Sequence, residues 1–325
     1  MAQGRDNWFS RAVGYHRPMT ADGSRVRIRP GTLDDNSACA AVLADAVNDL
    51  GRRHGSLGDG GAIDLEVQWP RWRPFFDHLA RTAAEFWVAE GTDGNAIGYA
   101  RSIDRGGAFE LTEFFVRPGV QARGVGRDLL ARAFPRDRGE LRVIIATTDI
   151  PALSRYLRAG VVARFPVLSF TGPSRSIALD DRLAAERLDL DRDLDAVHAI
   201  DDAVLGHRRE VDHRWFAAER EGHRYVRDGR IVGYGYVGVP ARGGNGPFAV
   251  LDESDLPAVL SHAEHRRHEA GAAETSFEIA LHNRTAIDHL LGRGYRMDPF
   301  MTLICSSKPF GRFEQYAFCA PALIL

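Results

Sequence analysis

Two short patterns occur twice in this 325-residue sequence at almost the same spacing. The dipeptide Gly-Tyr at 98–99 is repeated at 233–234, an offset of 135 residues, and A-x-x-x-Y-x-x-x-G at 152–160 returns as A-x-x-x-L-x-x-x-G at 286–294, an offset of 134 residues. Anchors so far apart rarely keep one offset by chance, so the pattern indicates a tandem duplication. The length of the chain also suits two domains better than one.

Hydrophobic periodicity predicts the same order of strands and helices in both halves. In the first half, strands are expected at 86–89, 97–103, 109–116, 141–147 and 161–170, with helices near residues 124 and 150. Glycine, proline and serine after Thr171 mark the seam. We therefore divide the chain into an N-terminal extension (1–23), a first copy (24–171) and a second copy (172–325).

Composition and charge exclude several classes of protein. The formal net charge is -2 and there is no dense basic run, which argues against nucleic acid as a partner. The three cysteines are widely spaced and form no CxxC pair, so neither a disulfide framework nor a structural zinc site is expected. There is no run of about 20 apolar residues, so no membrane span is expected. Because the first residues do not resemble a signal peptide either, the expected location is the cytoplasm.

The most informative segment runs from Phe114 to Leu130 and reads FFVRPGVQARGVGRDLL. A hydrophobic strand ends at a proline, and a glycine-containing loop opens directly into an apolar helix. Such a loop can wrap main-chain N–H groups around a pyrophosphate, and the helix N-terminus adds partial positive charge. Gly124 and Gly126 let the main chain approach the phosphates. The arginines at 123 and 127 are placed to add charge-assisted contacts.

Three other interpretations compete for this loop. A glycine-rich connection between a strand and a helix is often only a turn. A dinucleotide-binding loop fits poorly, because the third glycine is missing and hairpin-like strands precede the loop in place of a βαβ unit. A nucleoside-triphosphate loop is excluded because its lysine is absent.

The wider context resembles the GNAT (GCN5-related N-acetyltransferase) superfamily. The motif V-x-P-x-x-Q-x-x-G-x-G at 116–126 is similar to the acetyl-CoA loop of that family. The segment from Asp149 to Gly160 is similar to the family motif N-x-x-A-x-x-x-Y-x-x-x-G, with aspartate replacing asparagine and Val161 replacing the aromatic residue that follows. The resemblance implies an α+β fold of two tandem GNAT domains, each a mixed, mostly antiparallel central sheet flanked by helices. Among GNAT proteins, the pattern is most similar to actinobacterial tandem proteins of secondary metabolism, including the one associated with clavulanic acid clusters.

The resemblance also implies a site for acetyl-CoA as a co-substrate, with no metal. Phe115 and Val116 would offer main-chain groups to the pantetheine arm. The pyrophosphate would be held by Gln121, Ala122, Arg123, Gly124, Val125 and Gly126, with Arg127 beside it. The acetyl carbonyl would lie in a gap between two strands, polarised by a main-chain N–H. An amine of a small molecule, held beside the thioester, would then attack directly.

A carboxylate is expected near the acceptor, because a protonated amine must lose a proton before it attacks. The strand before the loop carries Glu110 and Glu113, which strict alternation places on opposite faces unless a bulge lies between them. The resemblance favours Glu110 as the base. The alternative for either glutamate is an ordinary strand residue without a catalytic role. Tyr156 takes the position of the family's proton donor to the departing thiolate. The alternative is a helix tyrosine that only packs on the sheet.

The second copy is expected to bind no cofactor. Its loop position at 251–260 reads LDESDLPAVL, which has no glycine and would turn three carboxylates toward a polyanion. The proline also removes a main-chain donor. This copy is therefore predicted to be structural or to form a wall of the acceptor pocket.

Two further groups of residues have open interpretations. The histidines at 262, 265 and 268 share one face of a predicted helix, where a solvated polar surface is favoured over a metal site. Pro70 and Pro74 are expected to break an aromatic segment. Its side chains would line the acceptor site, form a lid or pack in the core: Trp69, Trp72, Phe75 and Phe76.

The predicted function is an acetyl-CoA-dependent N-acetyltransferase that acts on a small-molecule amine. One rival is a non-catalytic acyl-CoA-binding or sensing protein, which needs neither Glu110 nor Tyr156. The other rival is an N-acetyltransferase of proteins or peptides, which needs an open groove for its acceptor. The oligomeric state is left open.

Overall fold

A computed structural model describes residues 26–56, 61–120, 124–177, 183–239, 243–319 and 324–325. Each half contains, in order, a strand, two helices, three strands, a helix, a strand, a helix and a strand. The predicted α+β fold class is confirmed, because a large, mostly antiparallel sheet combines elements of both halves with flanking helices. The predicted extension at 1–23 and the loop residues Gln121, Ala122 and Arg123 lie outside the described residues.

The first half is built around the predicted strands and helices. Its elements are β1 (Arg27–Pro30), α1 (Asn36–His54), α2 (Leu65–Thr82), β2 (Ala83–Glu90), β3 (Ala96–Arg105), β4 (Ala108–Val116), α3 (Val125–Ala133), β5 (Leu141–Thr147), α4 (Ile150–Arg158) and β6 (Val162–Pro173).

The second half repeats this order and adds one short strand. Its elements are β7 (Ala184–Arg187), α5 (Leu190–Val204), α6 (Glu210–Glu219), β8 (Arg220–Arg227), β9 (Arg230–Gly238), β10 (Phe248–Val250), α7 (Leu256–Glu269), β11 (Glu274–Ala280), α8 (Arg284–Gly292), β12 (Arg296–Ser306) and β13 (Tyr316–Phe318).

The two halves share one sheet and exchange their last long strands. The described strands follow the order β1-β2-β3-β4-β5-β12-β6-β11-β13-β10-β9-β8-β7. β12 lies between β5 and β6, so that Leu303 faces Ala146 on one side and Pro166 on the other. β6 pairs in turn with β11 of the second half. The last long strand of each half therefore completes the sheet beside the other half, a pairing that the alternation along a strand does not specify.

The expected break at Pro70 and Pro74 is wrong, because both prolines lie inside the single helix α2. Asp64 caps this helix by accepting hydrogen bonds from the main-chain N–H groups at its start. Phe76 and Leu79 of α2 are buried against the sheet of the first half. Burying two such side chains stabilises the fold by roughly 3–6 kcal/mol. This is comparable to the cost of about 3 kcal/mol for each interior proline.

A bulge in β4 decides which face its glutamates occupy. Glu110 faces Ile103 on β3, Glu113 faces Arg101, and the register shifts between the two pairs. Directly opposite residues point to the same face of a sheet, and Ile103 and Arg101 are two residues apart on one strand. Glu110 and Glu113 therefore lie on one face, the face covered by α1, where Arg101 donates a hydrogen bond to Asn36. The opposite faces expected from strict alternation are wrong because of this bulge.

The helices of the two halves meet through a buried polar contact. Nε2 of His78 on α2 lies 2.6 Å from Asp212 of α6, and Arg105 donates to the same carboxylate at 2.6 Å. The ring of His78 stacks on Trp215, with the centroids 4.9 Å apart. This contact fixes α6 of the second half against α2 of the first.

Within the described residues, no helix has the length and apolar character needed to cross a membrane.

Candidate active site

A cavity of about 680 Å³ opens where β4 and β5 separate. The two strands are parallel, and their pairing ends at Leu111 and Ile144. Beyond that point Phe115 of β4 and Thr147 of β5 both line the cavity. The cavity therefore enters the sheet between two strands, where main-chain groups of the strand ends border the opening.

One end of the cavity lies at the start of α3. Gly124 precedes this helix with φ of 83°, in the left-handed region that favours glycine. Gly126 lines the cavity, and a Cβ at this position would lie 3.3 Å from Cζ of Phe114 and 3.6 Å from Nε of Arg155. A side chain would fill this cradle. A glycine cradle at a helix N-terminus fits a pyrophosphate.

The other predicted loop residues differ in what their side chains contact. Val116 lines the cavity. Val125 is buried in the core, so only its main chain can face a ligand. Arg127 is 79% exposed, pairs with Asp128 at 2.9 Å and is not among the residues that line the cavity. The sequence analysis missed Arg155, which lines the cavity beside Gly126. The sequence signal for it is its position on the helix, one residue before Tyr156.

Tyr156 lines the cavity from the face that carries α3 and α4. Its ring contacts Phe114 edge to face, with the centroids 6.0 Å apart. Burial raises the pKa of the Tyr156 hydroxyl above its ordinary value, so the group stays protonated at neutral pH. A protonated hydroxyl beside the gap between β4 and β5 can donate a proton to a leaving sulfur.

Glu110 and Glu113 are both buried, and neither lines the cavity. Glu113 lies 2.8 Å from the guanidinium of Arg101 and accepts a hydrogen bond from Tyr99 at 2.8 Å. Glu110 accepts from the main-chain N–H of Leu325 at 3.3 Å, and its Oε1 has no hydrogen-bond partner. Burial raises the pKa of Glu110 to about 8. A catalytic role for either glutamate stays a prediction.

Comparison with known proteins assigns the fold. Residues 82–161 match the family model of the acetyltransferase (GNAT) domain. A Pyrococcus horikoshii protein provisionally described as an acetyltransferase shares 16% identity at a TM-score of 0.67, over 93% of this chain and 97% of that one. The chain has a GNAT fold. A GCN5-related N-acetyltransferase of Sphaerobacter thermophilus matches with 16% identity and a TM-score of 0.58, over 88% of this chain and 96% of that one.

A tandem GNAT protein from the clavulanic acid biosynthesis pathway is also similar. It shares 15% identity at a TM-score of 0.52, over 88% of this chain and 99% of that one. A sequence search among curated proteins finds no match. The GNAT fold supports acyltransferase activity in general, and GNAT domains typically use acetyl-CoA. The glycine cradle and the gap between β4 and β5 fit that co-substrate.

The end of the cavity away from the glycine cradle is built by both halves. From α2, Trp72, Phe75 and Phe76 line it, and Trp69 packs edge to face on Phe76. Phe75 also contacts Trp215 of α6, with the ring centroids 5.5 Å apart. The second half adds partly buried polar side chains, which the sequence analysis did not single out: Glu219, Arg220, Arg267, Glu278, Asp298 and Thr302.

The second half has a strand where the first half has a gap. β13 lies between β10 and β11, with Ala317 facing Phe248 on one side and Ile279 on the other. An offset of 134 residues relates Phe248 to Phe114 and Ile279 to Ile145, which both line the cavity of the first copy. The segment that contains β13 thus occupies the position in the second copy that the cavity occupies in the first.

The acidic loop of the second copy makes contacts within the protein. Asp252 accepts a hydrogen bond from the main-chain N–H of Ser254 at 2.9 Å, and Asp255 pairs with Arg227.

The histidine face predicted on α7 is not uniformly solvated, because His262 is buried and lies 3.1 Å from the hydroxyl of Tyr225. Among the described residues, no group of three or more His, Cys, Asp or Glu side chains is arranged to hold a metal ion.

Proposed function

We propose that the protein transfers an acetyl group from acetyl-CoA to an amine of a small molecule. The observation that carries this proposal is the continuity of one cavity from the glycine cradle at α3, through the gap between β4 and β5, to a chamber between α2 and the second half. The cradle suits a pyrophosphate, the gap suits a pantetheine arm, and the chamber has room for an acceptor beside the thioester.

Acetyl-CoA would supply an activated carbonyl carbon and a thiolate leaving group. The main chain of α3 from Gly124 to Gly126, with Arg155 beside it, would hold the phosphates. Main-chain groups of β4 near Phe115 would orient the thioester in the gap. Tyr156, kept protonated by burial, would donate a proton to the departing sulfur. The aromatic wall of Trp72, Phe75 and Trp215 would exclude water from the acceptor.

We also propose that only the first copy binds acetyl-CoA. β13 stands between β10 and β11, and the loop before α7 carries acidic side chains in place of a glycine cradle. The second copy would then serve as the far wall of the acceptor chamber. A role in secondary metabolism stays a prediction, because the clavulanic acid pathway protein shares 15% identity with this chain and its similarity bears on the fold.

Native mass spectrometry of the protein with acetyl-CoA tests this proposal. We expect one molecule bound per wild-type chain and none bound to Gly124→Asp, which places a carboxylate and a strained backbone at the cradle. Gly271→Asp is the matched control: its φ of 79° is close to that of Gly124 and no atom lies within 4 Å of its Cβ position. Gly271→Asp should therefore keep the ligand. Two molecules bound per chain would contradict the silent second copy, and no binding to the wild type would contradict the proposed function.

A further inference from the structure

The acceptor chamber ends in the second half, three strands away from the gap where the reaction would occur. Glu278 of β11 lines this far end, as do Asp298 of the segment from Arg296 to Ser306 and Glu219 at the end of α6. In the sheet order β5-β12-β6-β11, β11 is three strand spacings from β5. Neighbouring strands lie about 4.8 Å apart, so the far end is roughly 14 Å from the gap along the sheet.

Among the described residues, the carboxylates at the far end form no ion pair. Neither Glu219, Glu278 nor Asp298 forms an ion pair with another described residue, and the partner of Asp298 is the hydroxyl of Thr171 at 3.0 Å. All three side chains are partly buried. A carboxylate withdrawn from water without a cation is unfavourable, so a bound cation would stabilise this end of the chamber.

The two guanidinium groups at this end are already held by main-chain carbonyls. Arg220 donates to the carbonyl of Gly246 and stacks on the ring of Phe216, 5.0 Å from its centroid. Arg267 donates to the carbonyl of Gly238 at 2.9 Å. Neither arginine reaches the carboxylates as an ion-pair partner. The far end therefore favours a cationic group of the ligand over an anionic one.

We propose that the acceptor is an elongated diamine, whose first amine reacts at the gap between β4 and β5 while its second, protonated amine binds Glu278 in the second copy. This inference rests on the proposed function and names the class of acceptor for that same site. In it, Glu278 is a specificity-determining residue that fixes the length and charge of the acceptor. The second copy thereby selects the substrate of the first.

The titration of Glu278 should make the binding of the second amine depend on pH. Burial, and to a smaller extent the charge of Asp298, raise the pKa of Glu278 to about 7, and the hydroxyl of Ser169 lowers it in part. The other charged groups that line this end are Glu219, Arg220 and Arg267. The carboxylate becomes charged as pH rises through about 7, whereas an alkylammonium group stays charged up to about pH 10. Affinity for a diamine should therefore rise by up to about tenfold between pH 6 and pH 8.

Acetylation kinetics with two amines of equal chain length test the proposal, because turnover requires the reacting amine to lie at the gap. Octamethylenediamine carries the second amine and n-octylamine does not. We expect E278Q to lower kcat/KM for octamethylenediamine by roughly tenfold or more, and to remove the pH dependence that n-octylamine does not share, while kcat/KM for n-octylamine stays as in the wild type. The control E274Q, at an exposed glutamate of the same strand, should change neither value of kcat/KM.

The proposal is overturned if E278Q acetylates octamethylenediamine with the kcat/KM of the wild type, or if the wild type shows no preference in kcat/KM for octamethylenediamine over n-octylamine. If E278Q does not fold, the pH profile of the wild type reports the same carboxylate, and a flat profile overturns the proposal. Acetyl-CoA binding is measured separately by native mass spectrometry. Acetyl-CoA binding without a diamine preference refutes this inference alone, whereas loss of acetyl-CoA binding refutes the proposed function.

Discussion

Burial affects the three titratable candidates of the first copy in different ways. Glu113 keeps a countercharge, because Arg101 is buried beside it. Glu110 has only the main-chain N–H of Leu325 and one unpaired oxygen, so the fold disfavours its charged form. Tyr156 is equally enclosed but borders the cavity. At the scale of single residues, Tyr156 therefore lies at the cavity, whereas the two glutamates lie in the interior of the protein.

The variant Glu110→Gln tests this account of Glu110. The pKa of this carboxyl is raised from 4.5 to about 8 on folding, so the unfolded chain ionises first as pH rises. The wild type should lose more stability than the variant between about pH 4.5 and pH 8, because only the wild type carries the contribution of Glu110. Urea unfolding should show the advantage of the variant growing over this range by on the order of 2–4 kcal/mol. The exposed Glu140→Gln is the control, and an equal difference at both ends of the range would refute the account.

The variant Tyr156→Phe tests whether Tyr156 is the proton donor to the departing sulfur. Removing the hydroxyl should lower kcat by roughly 10- to 100-fold with any amine that the wild type acetylates, because the departing sulfur loses its proton donor. Acetyl-CoA binding should remain, since the ring contact with Phe114 is kept. Tyr295→Phe removes a buried tyrosine hydroxyl from the second half and should leave kcat unchanged. Equal turnover in Tyr156→Phe and the wild type would refute the role of Tyr156 as the proton donor.

At the scale of elements, local patterns predicted what depends on local chemistry. β5 was predicted at 141–147 and is observed at those residues, because its apolar run needs burial on both faces. The helix after Gly124 also begins where the glycine loop ends. The break at Pro70 was wrong, because tertiary packing of α2 outweighs the local preference of proline. β13 was not predicted, because a three-residue strand carries almost no periodic signal.

The candidate site also contains some residues that local patterns predicted and others that they did not. The glycine cradle and Tyr156 could be predicted because they lie in short contiguous motifs whose residue types the chemistry requires. Arg155 was missed because its role depends on how α4 lies over α3. Glu278 was missed because it reaches the chamber only through the order of β12, β6 and β11. Residues brought together by strand exchange leave no spacing rule in the sequence.

At the scale of the whole molecule, strand exchange makes the two copies one structural unit. β12 fills the space between β5 and β6, and β6 is the neighbour of β11. Without the second half, β5 would present an unpaired edge, and β6 would lose its partners on both sides. Long, apolar, unpaired strands aggregate. The duplication therefore cannot be treated as two independent domains joined by a linker, although each half repeats the same order of elements.

Separating the halves tests this interdependence. Residues 24–177 expressed alone should aggregate, whereas the same fragment expressed together with residues 178–325 should form a soluble complex that binds one acetyl-CoA. A full-length chain with a protease site inserted after Ile177 is the control: cleavage should leave the fragments associated, because β12 stays between β5 and β6. Size-exclusion chromatography and native mass spectrometry report both outcomes. A soluble fragment 24–177 that unfolds cooperatively and binds acetyl-CoA by itself would show that the first copy folds without the strand it receives from the second.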